Sequence, residues 1–442
     1  MRVLMISDHA DPLAKIGSKE SGGQNVYVMS VASLLAKRGH RVDVYTRWDC
    51  PTKQEVVQVN PNLRVVRVNA GPRGYMPRDD FLKIIGDFTA GIKERIELEA
   101  LAYDVIFSNY WFSGIIGLSL AKDYGIPQTH VYHSIGQIRY QTLKDVRPEE
   151  VDNNLFRVRA MWERRLAREC ASIITTSPVE QADIQRLFRI SRDKIICLPI
   201  GVDLRQFRPR SQARARKKLG LGAGPLVLYV GRIEWRKGIG TLIQALAKLP
   251  DAELCVVGGG TNKEARKLDA AERKRLQSIA NDLGLKDRVH FVGAKQPAQV
   301  ALYYAAADVC AVPSYYEPFG IVPIEAMACG TPVVASHTGG MRFTVREGIT
   351  GHLAKTNDHE DLAAKLALVL QRGRDAYAQA ARTHIQQQFA WPKIAVDTIA
   401  HLITLSMLMK GMAYEDSTAG ANRRIGAAQS LRGNRASSLQ SL

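Results

Sequence analysis

Short β-branched runs alternate with longer segments of helical period almost from the first residue. RVLMIS (2–7) leads to NVYVMSVASLLAKRG (25–39), then come RVDVYT (41–46), RVVRVN (64–69), FLKIIGDFTAGIKERIELEALA (81–102) and YDVIFSN (103–109). Strands alternating with amphipathic helices build βαβ units, and those units build a parallel sheet. After Gly222 the pattern restarts with PLVLYVGR (225–232), TLIQALAKL (241–249), AELCVVGGG (252–260), the charged helix KLDAAERKRLQSIANDLG (267–284), VHFVG (289–293), ADVCAVPS (307–314) and TPVVAS (331–336). Two such series exceed one sheet, so the chain is expected to hold two doubly wound α/β domains with a cleft between them. The segments 171–188 and 194–220, rich in Pro, Gly and basic residues, read as a surface connection, with the domain boundary near 200–222. The expected division is 1–205, 206–390, a C-terminal helix at 391–414 that crosses back to the first domain, and a disordered tail at 415–442 rich in Ser, Ala, Gly and Arg.

Composition narrows this picture without changing it. With 442 residues, 46% hydrophobic and 24% charged, the chain has ordinary globular composition. Its N-terminus lacks the layout of a signal peptide and reads as a first strand. The longest apolar run, HLITLSMLMKGM (401–412), falls short of the roughly 18 residues needed to span a bilayer. Six scattered cysteines with no CxxC pair predict reduced thiols, neither disulfide nor zinc, and a cytoplasmic location. The net charge of +18 could serve nucleic acid, an anionic membrane or an anionic small molecule. The basic clusters at 205–220 and 421–435 lack the interleaved aromatics of a stacking platform, so no nucleic-acid partner and no stable membrane insertion are expected.

The candidate chemistry lies in loops that follow strands, where open α/β sheets bind their ligands. Gly231 to Gly238 places Arg232 and Lys237 between a strand end and a helix start, where a guanidinium and an ammonium can reach one phosphate chain; two solvated loop cations are the alternative. In YEPFGIVPIEAMACGTPVVAS (316–336), Phe319 and Gly320 open a helix from about Ile321 to Cys329, whose free amides favour an anion. Glu317 stands just before that helix. Glu325, eight positions later, lies among Ile, Val, Pro, Ala, Met and Cys, where a carboxylate needs a partner: a sugar diol, or a salt bridge to Arg232 or Arg342.

In the first domain, Gly22-Gly23-Gln24-Asn25 opens a helix and lets a ligand approach the backbone, though it lacks the full dinucleotide fingerprint. His133 follows the strand-like QTHVY and either faces the cleft or packs as an ordinary histidine. Arg78, Arg139, Lys144 and Arg159 add cations suited to an anionic acceptor, or to plain solvation.

Taken together, VGRIEWRKG, EPFGIVPIEAMACGTPVVAS with HTGG, GVDLRQFRP and GGQNVYV resemble the family 4 retaining glycosyltransferases of GT-B fold, over nearly the whole chain apart from the tail. The resemblance implies two facing Rossmann-like doubly wound domains with the active site in the cleft. It implies that Arg232 and Lys237 clamp a nucleotide diphosphate, that Glu325 binds the ribose hydroxyls, and that Glu317 contacts O3 and O4 of the donor sugar. Phe319, Gly320, Ile321 and Val322 then surround sugar and phosphate with their amides, His133 touches O6 of the sugar, and Gly23 meets the β-phosphate and the acceptor. Main chain from Val292 to Lys295 holds the base.

The same resemblance implies front-face attack, in which a leaving diphosphate oxygen helps remove the acceptor proton, and no metal in the chemistry, with Mg2+ at most an activator. No cofactor is implied, since UDP-glucose is a substrate. GGQNVYV, AGPRGYMPRDD, SNYWFSG with Tyr110, and HSIGQIRYQT are similar to the branch that makes sucrose and sucrose 6-phosphate, and also to inositol-phosphate glycosyltransferases. Both relatives use phosphorylated acceptors, placing Gly23, Gln24, Arg78, Tyr110, His133, Arg139 and Arg159 around the acceptor. The expected partners are therefore a nucleotide-sugar donor and a phosphorylated sugar acceptor, fructose 6-phosphate being favoured, with the protein a monomer or weak homo-oligomer. A lipid acceptor at a membrane surface stays open as the use of the positive charge.

Overall fold

The computed structural model of the chain describes residues 1–14, 22–146, 148, 153–260 and 263–408. The first half contributes β1 (Arg2–Ile6), β2 (Arg41–Arg47), β3 (Val56–Asn60), β4 (Leu63–Val68), β5 (Val105–Asn109), β6 (Gln128–Val131), β7 (Ser172–Thr175) and β8 (Ile195–Cys197). They form one sheet in the order β3-β4-β2-β1-β5-β6-β7-β8, parallel except where β3 pairs antiparallel to β4 at the edge. The second half contributes β9 (Leu226–Val230), β10 (Glu253–Val257), β11 (Val289–Gly293), β12 (Val309–Val312), β13 (Val333–Ser336) and β14 (Gly351–Ala354). Their order is β11-β10-β9-β12-β13-β14, with every pairing parallel.

Central parallel strands carry helices on both faces, so they read as unbroken apolar runs: Val3, Leu4, Met5 and Ile6 of β1 are all fully buried. Strand order reverses between β1 and β5 in the first sheet and between β9 and β12 in the second. Loops leaving those strands diverge to opposite faces and open a crevice, and the candidate residues at 22–25, 109–113, 231–238 and 313–325 follow them.

The segment 171–197 is not the surface connection expected from its composition. It supplies β7, the helix Pro178–Phe188 and β8 to the first sheet, because SIIT and IIC each bury apolar side chains against the preceding strand. The helix expected over 81–102 is shorter, a 3-10 turn over Arg78–Ile84 followed by the α-helix Ile85–Leu98, and Ala100 then takes φ +47°. Residues 391–408 are helical and lie against the first half. Trp391 meets the Tyr27 ring at 6.4 Å and His401 Nε2 lies 2.9 Å from the Ser172 hydroxyl. The approach is close enough that a Cβ on Gly201 would sit 2.4 Å from the Trp391 ring. The stretches 409–414 and 415–442 lie outside the described residues.

Candidate active site

The loop after β9 is shaped by backbone contact. A Cβ on Gly258 would lie 1.7 Å from Gly231 O, and one on Gly238, at φ +69°, would lie 2.0 Å from Pro313 O. Only glycine fits such approaches. Tyr315 N–H also donates to Arg236 O at 2.9 Å, so the loop is fastened to the segment after β12. Lys237 thereby stands opposite Glu317, with Nζ 2.5 Å from Oε2. Glu234 takes Arg232 Nη1 at 2.7 Å and Arg236 Nε at 2.8 Å.

Burial pushes the Glu317 carboxyl up, but Lys237, Arg236 and Arg232 outweigh it and hold the group below the usual carboxylate range. Glu234 behaves alike: burial opposes ionisation, yet Arg236, Arg232, Lys237 and Arg139 bring it to about 2. Burial lowers Lys237, with Glu317 only partly restoring it. Among the described residues, Arg232, Arg236, Lys237 and Arg139 thus gather around Glu234 and Glu317, with Asp269 near Arg232, and such a set of cations can meet a diphosphate.

The Glu317 loop is held the same way. A Cβ on Gly339, at φ +49°, would lie 2.0 Å from Glu317 O, and one on Gly340 would lie 2.4 Å from Phe319 Cα. Gly340 N–H donates to Glu317 O and Pro318 O, both at 3.1 Å. Gly320, at φ +95°, turns the chain into the helix Ile321–Ala328. Glu325 on that helix is partly accessible and does not form the arginine salt bridge weighed from its spacing. Its Oε2 accepts from the Tyr304 hydroxyl at 3.0 Å, and burial raises its pKa to about 7. A carboxylate with an aromatic hydroxyl and an open side is suited to a diol.

Across the cleft, the helix Gly23–Lys37 starts at Gly22, whose N–H donates to Asn25 Oδ1 at 2.8 Å while Asn25 Nδ2 donates to Asp11 O at 2.8 Å. Gly23 is exposed, yet a Cβ there would lie 3.0 Å from Ile321 Cδ1. The starts of two helices, one from each half, therefore face each other across the cleft. Gln24 Nε2 bonds the Ser7 hydroxyl at 3.3 Å and Asn109 O at 3.4 Å beside them.

His133 adopts φ +58° and lies edge-on to Tyr27, 5.0 Å between ring centres. Burial and the neighbouring His9 lower its pKa to about 3, so the ring is neutral. Asn109 Nδ2 donates to Ile6 O, which makes Asn109 Oδ1 the acceptor for His133 Nε2 at 3.0 Å. The proton is on Nε2, and Nδ1 is left to accept from a hydroxyl.

Arg159 is only 4% exposed. Its Nε donates to Glu163 Oε1 at 2.6 Å, Nη1 to the Tyr110 hydroxyl at 3.1 Å and Nη2 to the Ser134 hydroxyl at 2.9 Å. Tyr110 itself adopts φ +76°. The structure thus brings together Arg159 and Tyr110, which the sequence nominated, and adds Ser134, Glu163 and Glu234, which it did not. The i,i+4 spacing of Arg159 and Glu163 was a readable signal; Ser134 is visible only through contact.

Arg139 is half-buried and close enough to Glu234 to lower its pKa, Lys144 is exposed, and the Arg78 side chain lies outside the described residues. Phe319 is buried against Phe389, ring centres 5.9 Å apart. Val292 lies half-buried on β11, at the edge of the second sheet. Among the described residues no group of three or more His, Cys, Asp or Glu is placed to hold a metal, and no helix is long and apolar enough to cross a membrane.

Comparison with known proteins places the chain in a family. Residues 21–206 match the family model described as Glycosyltransferase Family 4, and residues 211–384 match Glycosyl transferases group 1. D-inositol 3-phosphate glycosyltransferase of Mycolicibacterium smegmatis is 35% identical over 392 residues, covering 88% of each chain. The chain is a family 4 glycosyltransferase. The corresponding protein of Corynebacterium jeikeium is also 35% identical to this glycosyltransferase, over 88% of its length and 94% of the relative's. Among solved structures, sucrose-phosphate synthase from Thermosynechococcus elongatus superposes with a TM-score of 0.84 at 37% identity, over 91% of this glycosyltransferase and 98% of that chain. Anabaena HepE in complex with UDP and glucose shares the fold at a TM-score of 0.69 and 22% identity, over 91% and 99% of the two chains. The architecture is GT-B, two parallel-sheet α/β domains.

Proposed function

We propose that this glycosyltransferase moves glucose from UDP-glucose to fructose 6-phosphate with retention of configuration, forming sucrose 6-phosphate, without metal in the chemistry and in the cytoplasm. The observation that carries the reading is the facing pair of helix starts at Gly23 and Ile321, with the Lys237–Glu317 pair in the loops of the second half and the Arg159 cluster in the first. Such a cleft offers one place for a diphosphate and another for a phosphorylated acceptor.

In this reading Arg232 and Lys237 hold the diphosphate and Glu325 accepts from the ribose hydroxyls. Glu317 accepts from O3 and O4 of the glucosyl unit, and His133 Nδ1 from O6. Amides of Phe319 to Val322 complete the sugar site, and main chain near Val292 holds the base. Arg159, Tyr110 and Ser134, with Arg78 and Arg139, take the acceptor phosphate. The C1–O bond to the β-phosphate breaks as the acceptor hydroxyl bonds to C1 on the same face, and its proton passes to a β-phosphate oxygen. Lys237, Arg232 and the helix start stabilise the charge left on UDP, an effect worth about 10²–10³ in rate for one donor.

Identity of 37% with a sucrose-phosphate synthase supports fructose 6-phosphate. A second reading, with inositol 3-phosphate as acceptor, is favoured by the 35% identity to the D-inositol 3-phosphate glycosyltransferases. A panel crossing UDP-, ADP- and GDP-sugars with fructose 6-phosphate, fructose and inositol 3-phosphate, read by nucleotide release and product mass, decides between them. UDP released only with inositol 3-phosphate overturns the first reading.

A further inference from the structure

Tyr316 belongs to neither ligand site, yet it touches both walls of the cleft. It is 5% exposed and immediately precedes Glu317. Its hydroxyl accepts from Ile135 N–H at 3.1 Å, a hydrogen bond between residues 181 positions apart. Ile135 sits in the turn that carries His133 and Ser134. The next amide, Gly136 N–H, donates to both Glu163 oxygens, at 3.0 and 2.9 Å, and a Cβ on Gly136 would lie 2.8 Å from Arg159 Cδ. Glu163 in turn holds Arg159 Nε, while Tyr132 fastens the start of the same turn by donating to Glu163 O at 2.6 Å. This short turn is therefore gripped by the Glu163–Arg159 pair from the acceptor wall and by Tyr316 from the donor wall. Each link is hydrogen-bonded and buried, so a shift at one end cannot be absorbed by solvent in between.

We propose that Tyr316 is a positioning residue that couples the two substrates: through its hydroxyl on Ile135 N–H, occupation of the Arg159 phosphate grip sets the place of Glu317 at the donor sugar. The inference rests on the acceptor being phosphorylated and bound at Arg159. Without the hydroxyl, the two walls still form but no longer report to each other, and binding becomes independent. By reciprocity the donor wall must also set the affinity for the acceptor, by the same factor.

Tyr316→Phe removes one oxygen and keeps the buried ring. UDP affinity is measured by calorimetry with and without saturating fructose 6-phosphate, and again with inositol 3-phosphate, for the wild type and Tyr316→Phe, with thermal melting as a parallel reading. The expected result is UDP bound alone within about twofold of wild type, and the tightening of UDP by the phosphorylated acceptor cut about tenfold, the size of a lost buried hydrogen bond. Wild-type tightening in Tyr316→Phe overturns the inference while the functional reading stands. Weaker UDP binding without acceptor, together with a lower melting temperature, also overturns it, since Tyr316 is then a packing residue only. A wild type whose UDP affinity ignores both phosphorylated acceptors overturns the inference, and product formation in the donor-by-acceptor panel then tells separately whether the phosphorylated-acceptor reading stands.

Discussion

The two walls of the cleft are built by different physics. The wall proposed to hold the donor, residues 231–238, 313–320 and 337–340, is fixed where backbone meets backbone: Gly238 on Pro313, Gly258 on Gly231, Gly339 on Glu317 and Gly340 on Phe319 leave no room for a Cβ. The wall proposed to hold the acceptor is fixed by side chains. Arg159 reaches Tyr110, Glu163 reaches Gly136 and His133 reaches Asn109, joining residues 24 to 49 positions apart, and Tyr110 and His133 hold strained positive φ values. A wall made of backbone contacts has one geometry, suited to a ligand part that never changes. A wall made of side-chain contacts can be refitted by substitution to another acceptor.

This contrast predicts that the largest effect comes from disturbing donor-wall backbone. Gly339→Ala puts a Cβ 2.0 Å from Glu317 O at a φ that only glycine accepts readily, so Glu317 must move away from Lys237. We expect kcat/KM to fall about 10³-fold or more, with a lower melting temperature, because charge and position are lost together. Lys237→Ala should follow, with kcat down about 10²–10³-fold; the double variant with Glu317→Gln should cost less than the sum of the singles, as measured in a double-mutant cycle.

The acceptor wall should answer differently. Arg159→Lys keeps the charge but loses the fork that reaches Tyr110 and Ser134, so KM for the phosphorylated acceptor should rise about tenfold or more while UDP affinity alone holds. A matching loss of UDP affinity would erase the distinction between the walls.

The smallest effect is a pH dependence. Burial raises Glu325 to about 7, so it carries its proton in the free protein at pH 6 and is ionised at pH 8. An acid whose folded pKa is raised opposes folding as it ionises, so the unliganded protein should lose stability as pH climbs from the unfolded carboxylate range toward 7. The ionised form is the better acceptor for two ribose hydroxyls, so UDP affinity should rise with pH over the same interval, by up to about tenfold between pH 6 and 8 beyond the phosphate's own titration. Glu325→Gln should flatten that component in calorimetry.

Much of the donor wall was legible because its residues are contiguous. Arg232 and Lys237 share one loop, Glu317 to Glu325 share one turn and helix, and the glycines mark the close approaches. What spacing could not settle was the Glu325 partner: a salt bridge and a hydroxyl are equally compatible with an apolar helix, and Tyr304 comes from a different helix, Pro297–Ala306. The acceptor wall was legible only as single residues. Nothing in the chain's order says that Ser134 completes the Arg159 cluster or that Tyr316 crosses to Ile135, since both depend on how two sheets and their loops pack. Composition misled at 171–197, where the Pro and basic residues that suggested a connection flank two strands of four and three residues.

The sequence by itself determined the two parallel-sheet domains and the loops after β9 and β12 in which Lys237 and Glu317 meet. Period, β-branched runs and glycine positions act locally along the chain, and local rules suffice to read them. Only the tertiary structure decided that Gly23 and Ile321 face each other, that Glu163 steadies Arg159 and that Tyr316 joins the walls. Those contacts bring together residues far apart in the chain, and their distances are fixed by packing rather than by the order of residues.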